Sequence, residues 1–432
     1  MKNQSSLFYH LGIVFILLFL TSVNCAQEHG TPAQNEGLNV HVDPTMELFC
    51  VIHRLADTGH DNPKELPKYI NDIGNYFGHY QNHQAVKLAK RLWETHRINV
   101  SALSTLAVYL DAPPELTPRN LLDPLPSEID NRWTVDLVSE FIDASRDFAR
   151  DTKFMDFFDS KEELYSQATM NLKRSLDNEN MLEWFQEYFG YVPNNYTIII
   201  GMQTGWGNYG ASISGQDGTR EFYSIIGAHV PFFWNVVPRF SSKDLTWIVV
   251  HEFCHPYINP LVENQRELLR EAGEVLYPYH KSVLSKTGTL HWDHMMNEYI
   301  VRACVIRYFM AKNDMKSVKR QIKYDERNGY INIRALSELL EEYENNRDKF
   351  TNFNSFLPRI ADHFNQFAIS CSEGKEIPKE LNDNTIIPQI DLFPYGFVII
   401  AAATYWLVVI IIRIKRKREG GNRSGNSKTP GK

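Results

Sequence analysis

Residues 251–255 read His-Glu-Phe-Cys-His, and this short segment constrains the 432-residue chain more than any other. Two histidines four apart share one face of an α-helix, so both rings can point at a single ion. Glu252 lies beside them, placed to exchange protons at that point. The pattern therefore predicts a helix. Trp247, Ile248, Val249 and Val250 precede it, an uncharged run that would bury its back. Asp244 or Ser242 would cap its start. Pro256 follows the second histidine directly. It has no N–H and clashes with the carbonyl four residues back, so the helix should kink or end there. Asn259-Pro260 then reads as a turn into the next helix.

A zinc site needs a third protein ligand and an open position for water. The next histidine is His280, too far along for a closely spaced histidine triad. A glutamate on a later helix is expected instead, and Glu298 and Glu274 are the two candidates. Glu298 sits in Asn-Glu-Tyr-Ile-Val-Arg-Ala at 297–303. His294, Glu298 and Arg302 stand four apart and form one helical stripe. Arg302 would orient the ligand carboxylate or bind a substrate oxyanion, and His294 would stabilise that oxyanion. The bland alternative is a surface ion pair, and the bland alternative for the motif itself is two ordinary surface histidines.

The ends of the chain are read apart from the fold. Residues 1–25 hold Lys2, an apolar run at 11–20 and a polar stretch ending in Cys25, the layout of a secretory signal peptide. Residues 393–412 hold no charge, are long enough to span a bilayer and carry Tyr395, Tyr405 and Trp406. Residues 413–432 contain eight Lys or Arg against one Glu. Positive charge beside a span stays cytoplasmic, so the rest of the chain is expected outside, anchored to the membrane by a single pass. Removing that tail and Lys2 from the overall charge of −7 leaves the exported part near −15. Such an acidic surface excludes nucleic acid as a partner. Cys50, Cys254, Cys304 and Cys371 remain after the leader. They would allow three pairings in an oxidising compartment, and none is selected by sequence.

Between the ends, residues 26–190 read as a mostly helical N-terminal lobe after a polar lead-in at 27–40. The helical spacing of Leu48, Val51, Ile52 and Leu55 supports this. The texture changes near 191. Residues 196–202 and 222–226 are β-rich and enclose a turn-rich stretch with Gly205, Gly207, Asn208, Tyr209 and Gly210. That stretch is expected as an exposed hairpin or as an edge strand beside the motif helix, with Asn208, Tyr209 and Gly210 facing an extended peptide. Helical patterns resume to about 343, and residues 371–392 read as a stalk. The expected fold class is α+β, with a catalytic lobe at 191–370. Asn99-Val100-Ser101 and Asn195-Tyr196-Thr197 are glycosylation-type triplets.

The segments 42–55, 251–260 and 297–308 resemble a family of exported bacterial proteins known only as a domain of unknown function. They are also similar, at the last two motifs, to glutamate-liganded zinc peptidases (gluzincins). The resemblance implies a zincin-like lobe in which the later Asn-Glu helix supplies the third ligand, which favours Glu298 over Glu274. It implies a zinc hydrolase of peptide or protein substrates with Glu252 as general base. Two rivals stand beside it: a cell-surface binding protein with a vestigial metal site, and a zinc hydrolase of a non-peptide amide. The expected topology is tested by adding protease to intact cells. It should remove the large exported part and leave a small C-terminal fragment, and protection of that part would overturn the orientation.

Overall fold

The computed structural model describes residues 37–57, 66–176, 180–205, 207–215, 217–228, 237–284 and 291–375. The expected leader, the expected span at 393–412, the basic tail, the expected stalk beyond 375 and Trp206 lie outside these residues. Among the described residues no helix is long and apolar enough to cross a membrane. Strand β1 (Leu38–His41) leads into α1 (Pro44–Leu55), α2 (Pro67–Phe77), α3 (Gln84–His96), α4 (Val100–Ala107), α5 (Val135–Asp151), α6 (Phe154–Asp159), α7 (Glu162–Leu176) and α8 (Met181–Phe189). Strands β2 (Asn195–Gly201), β3 (Tyr209–Ser214) and β4 (Arg220–Gly227) follow. The chain then forms α9 (Ser242–Asn264), α10 (Arg266–Leu284), α11 (Trp292–Ala311), α12 (Met315–Arg327), α13 (Ile333–Asn345) and α14 (Phe353–Ser372). The result is a mixed α+β, mostly helical fold with one small sheet.

The sheet runs β1-β2-β4-β3. β1, β2 and β4 are parallel, and β3 joins β4 antiparallel as an edge strand. In β2, Ile198, Ile199 and Ile200 are all buried. Such an unbroken apolar run suits a strand covered on both faces. Tyr196 and Phe222 are register partners and face α9, where they meet Phe253 and Tyr257. β1 corrects the reading of 27–40 as lead-in throughout. Leu38↔Tyr196 and His41↔Ile199 close its register with β2, a pairing 158 residues apart that no local pattern reveals. The sheet thus spans the boundary drawn at 190, and one apolar core runs through both sides of it.

α9 and α11 are the central helices. Met295, Met296, Tyr299, Ile300, Val301, Ala303, Cys304, Val305 and Ile306 are all buried, so most of α11 is enclosed, with His294 exposed near its start. α9 lies between α11 and strands β3 and β4. It continues through both Pro256 and Pro260, against the expectation of an end near Pro256 and a turn at Asn259-Pro260. A helix-interior proline costs about 3 kcal/mol. Tyr257, Ile258 and Val262 are buried beyond Pro256, and each contributes about 1.5–3 kcal/mol by leaving water. Packing outweighs propensity here. α14, absent from the sequence reading, carries the fold to Ser372 and buries Cys371, so the region drawn as stalk from 371 starts inside a packed helix. Cys50, Cys254, Cys304 and Cys371 are all buried, and none forms a disulfide among the described residues.

α1 starts where Asp43 accepts the Met46 N–H at 2.7 Å and Pro44 occupies the first turn. Its Glu47 is buried and accepts from Tyr69 Oη at 2.8 Å, the Met202 N–H at 2.8 Å and Gln203 Nε2 at 2.9 Å. This carboxyl ties α1 and α2 to the loop between β2 and β3. Burial pushes it up to about 7, although the three donors favour the ionised form. Unfolded, it titrates near 4.5. Between those values the folded state holds more protons, so its contribution to stability is present below the lower value and is lost as pH rises through the upper one. Urea unfolding at about pH 5 and pH 8 should show the wild type losing roughly 2–3 kcal/mol relative to Glu47→Gln across that interval. A pH-independent difference would mean that Glu47 is ionised throughout.

Candidate metal centre

The helical spacing of α9 brings His251, Glu252 and His255 together, with one potential ligand atom from each within 4.8 Å of the others. Such a group can hold a metal ion. His251 Nε2 and His255 Nε2 stand 3.2 Å apart. α11 lies against this face and adds Glu298, whose Oε1 is 3.4 Å from His255 Nε2 and whose Oε2 is 3.7 Å from His251 Nε2. Donor atoms about 2.0–2.2 Å from a tetrahedral ion stand about 3.3 Å apart. Two imidazoles and one carboxylate at these separations fit that arrangement.

Three neighbours set the orientation of these groups. His255 Nδ1 lies 3.1 Å from Asn259 Oδ1, so the amide oxygen accepts its N–H and leaves Nε2 for the cluster. Arg302 donates Nε and Nη2 to Glu298 Oε2 at 3.0 and 2.8 Å. Its Nη1 donates to Asp325 Oδ1 at 2.7 Å, and the guanidinium lies 4.4 Å over the Tyr330 ring. Glu252 meets the backbone N–H of Gly210 in β3. His251 Nδ1 and Asn297 Oδ1 are buried without a hydrogen-bond partner among the described residues.

Electrostatics separates the four titratable groups. Burial pushes His251 down to about 4, only partly opposed by Glu298. Burial acts the same way on His255, but its contacts with Glu298 and the charge of Glu252 outweigh it and raise the ring to about 9. Glu252 is pushed up to about 7, chiefly by burial, with His255 pulling it down. For Glu298, burial alone would raise the carboxyl, yet Arg302 and the two histidines hold it well below the usual range. These shifts favour negative charge on Glu298 and positive charge on His255 over His251.

The sequence candidates are placed as follows. His251, Glu252, His255, Glu298 and Arg302 converge. His294 is half-exposed, with Nε2 3.9 Å from Glu298 Oε1, and burial lowers its pKa. Glu274 is exposed on α10. Arg302 is largely buried, with Nε and Nη2 given to Glu298 and Nη1 to Asp325, which fits orientation of Glu298. Tyr209 and Gly210 open the edge strand, while Asn208 Oδ1 accepts the Gly227 N–H at 3.0 Å and so braces the turn. Asn259, Asp325 and Tyr330 were missed. Asn259, one turn beyond His255, was within reach of helical spacing had Pro256 not implied an end. Asp325 carries no signal in sequence.

The family described as Domain of unknown function (DUF4932) matches residues 39–362, and the chain belongs to it. No curated protein and no solved structure matches the chain.

Gly210 explains how α9 accommodates Pro256 beside the site. Pro256 offers no N–H to the Glu252 carbonyl, and β3 closes on that carbonyl. A Cβ at Gly210 would stand 2.4 Å from Glu252 O and 2.9 Å from His255 Cβ. Backbone atoms cannot yield as a side chain does, so only glycine lets β3 approach. Gly210→Ala should push β3 from α9, lower stability by about 1–3 kcal/mol and weaken metal uptake. Thermal unfolding and metal content measure both effects, and wild-type values of both would show that β3 is not so closely seated.

Proposed function

We propose that this chain is a membrane-anchored, extracytoplasmic zinc peptidase with a zincin-like lobe of the gluzincin kind. The observation that carries the reading is the convergence of His251 Nε2, His255 Nε2 and the Glu298 carboxylate, with Glu252 beside them. These three would hold the ion. When bound, zinc acidifies water and polarises a carbonyl.

The chain's own residues then divide the work. Glu252 takes a proton from the attacking water and passes it to the leaving amine. Its buried carboxyl, pushed up to about 7, suits both halves of that task near neutral pH. β3, an antiparallel edge strand beside α9, would add an extended substrate backbone to the sheet, with Tyr209 and Gly210 nearest the motif. His294, half-exposed beside Glu298, would donate to the developing oxyanion. The apolar run at 393–412 and the basic tail support the anchor and the outward orientation.

One set of purified variants tests the reading, with zinc content and peptide-library cleavage measured on the same samples. Wild type should hold about one zinc per chain. His251→Ala and Glu298→Ala should lose zinc and activity together, while Glu274→Ala keeps both. Glu252→Gln should keep zinc and the fold while cleavage falls about 10²-fold or more. A Glu252→Gln protein that holds zinc and cleaves at the wild-type rate would sink the mechanism. Emptying of the site by Glu274→Ala alone would overturn the ligand set. Stoichiometric zinc with no cleavage of any peptide would favour a binding protein or a non-peptide amide hydrolase.

A further inference from the structure

α12 brings one buried carboxylate to the rear of the cluster. Asp325 is fully buried and accepts Arg302 Nη1 at 2.7 Å, while Gln321 Nε2 donates to its two oxygens at 3.1 and 3.0 Å. The other side of the same guanidinium, Nε and Nη2, is given to Glu298 Oε2. Tyr330 closes one face of the guanidinium. Arg302 is therefore held at both ends, between two carboxylates on different helices.

We infer that Asp325 is a positioning residue for the metal ligand Glu298 and acts on it through Arg302; this rests on the metal-site reading above. Two consequences follow from the geometry. First, Arg302 claims Oε2, so Oε1, 3.4 Å from His255 Nε2, is the oxygen offered to an ion. An arginine tethered only at Glu298 could swing its long side chain and release that choice. Second, a buried guanidinium one hydrogen bond from a cation site repels the cation. Asp325 neutralises it, so Glu298, Arg302 and Asp325 together keep one net negative charge for the ion. Residues that orient ligands from behind typically change metal affinity by 10–100-fold.

The full chain in detergent supports the test, with zinc affinity measured by chelator competition and the visible spectrum recorded after cobalt substitution. Asp325→Asn keeps the shape, removes the charge and should weaken zinc binding about 10–100-fold. It should also shift the cobalt absorption bands. Glu344→Gln is the control, because Glu344 of α13 accepts Arg307 Nε of α11 at 2.7 Å in a second ion pair that does not touch Glu298. It should lower thermal stability and leave affinity and spectrum unchanged. Should Asp325→Asn fail to fold, Arg302→Lys keeps the positive charge but cannot bridge both carboxylates, and should lose about 10-fold in zinc affinity. Wild-type affinity in Asp325→Asn or, if that fails to fold, in Arg302→Lys overturns the inference. So does an equal affinity loss in Glu344→Gln, which would mark a merely structural effect. A wild type that takes up no zinc defeats the metal-site reading itself, and the inference with it.

Discussion

The buried charge of Glu298 is the constraint around which this molecule is arranged. A carboxylate taken out of water is expensive unless every lone pair is met and a counter-charge lies close. Arg302 meets one oxygen, the histidines of α9 face both, and Asp325 balances the arginine from behind. Breaking one member of such a group leaves an uncompensated charge in a low-dielectric interior. α9, α11 and α12 must therefore meet at one place and in one register. The surrounding apolar side chains supply the burial that makes the electrostatics strong.

The same helix α9 answers to the sheet on its other side. Tyr196 and Phe222 pack on Phe253 and Tyr257, and Phe189 stacks on Tyr257 with ring centroids 4.1 Å apart. This aromatic layer packs on α9 where it continues past its two prolines. β3 rests on the carbonyl that Pro256 leaves unbonded, which requires glycine at 210. The site thus lies between a packed helix pair and an edge strand.

Glu47 does for the loop between β2 and β3 what Arg302 does for Glu298. Its donors come from α2 and from Met202 and Gln203 just after β2, and Gln203 in turn accepts Arg54 Nε at 3.2 Å. The N-terminal helices are tied by this group to the segment that delivers β3. The hydrophobic core, continuous from β1 to α14, makes that tie part of one structure rather than a contact between independent lobes.

Local spacing was enough to place a group on α9 that could hold a metal ion. Two histidines and a glutamate at helical intervals can share one face whatever surrounds them, and the Asn-Glu string at 297–298 with Arg302 one turn on marked the second helix. The α+β class and strands near 196–202 and 222–226 were legible from β-rich runs and turn residues, while the stretch at 205–214 stayed open between a hairpin and an edge strand. What the sequence left open was settled by contacts between residues far apart in the chain. The continuation of α9 through Pro256 depends on Tyr257, Ile258 and Val262 finding a buried place, which local propensity cannot weigh. β1 exists because β2 lies beside it. Glu298 rather than Glu274 faces the histidines because α11 packs on α9 while Glu274 points outward from α10. Asp325 meets Arg302 only after α12 folds back on α11. Hydrogen bonds and ion pairs of this kind are set by distance in space, and a sequence records order along the chain.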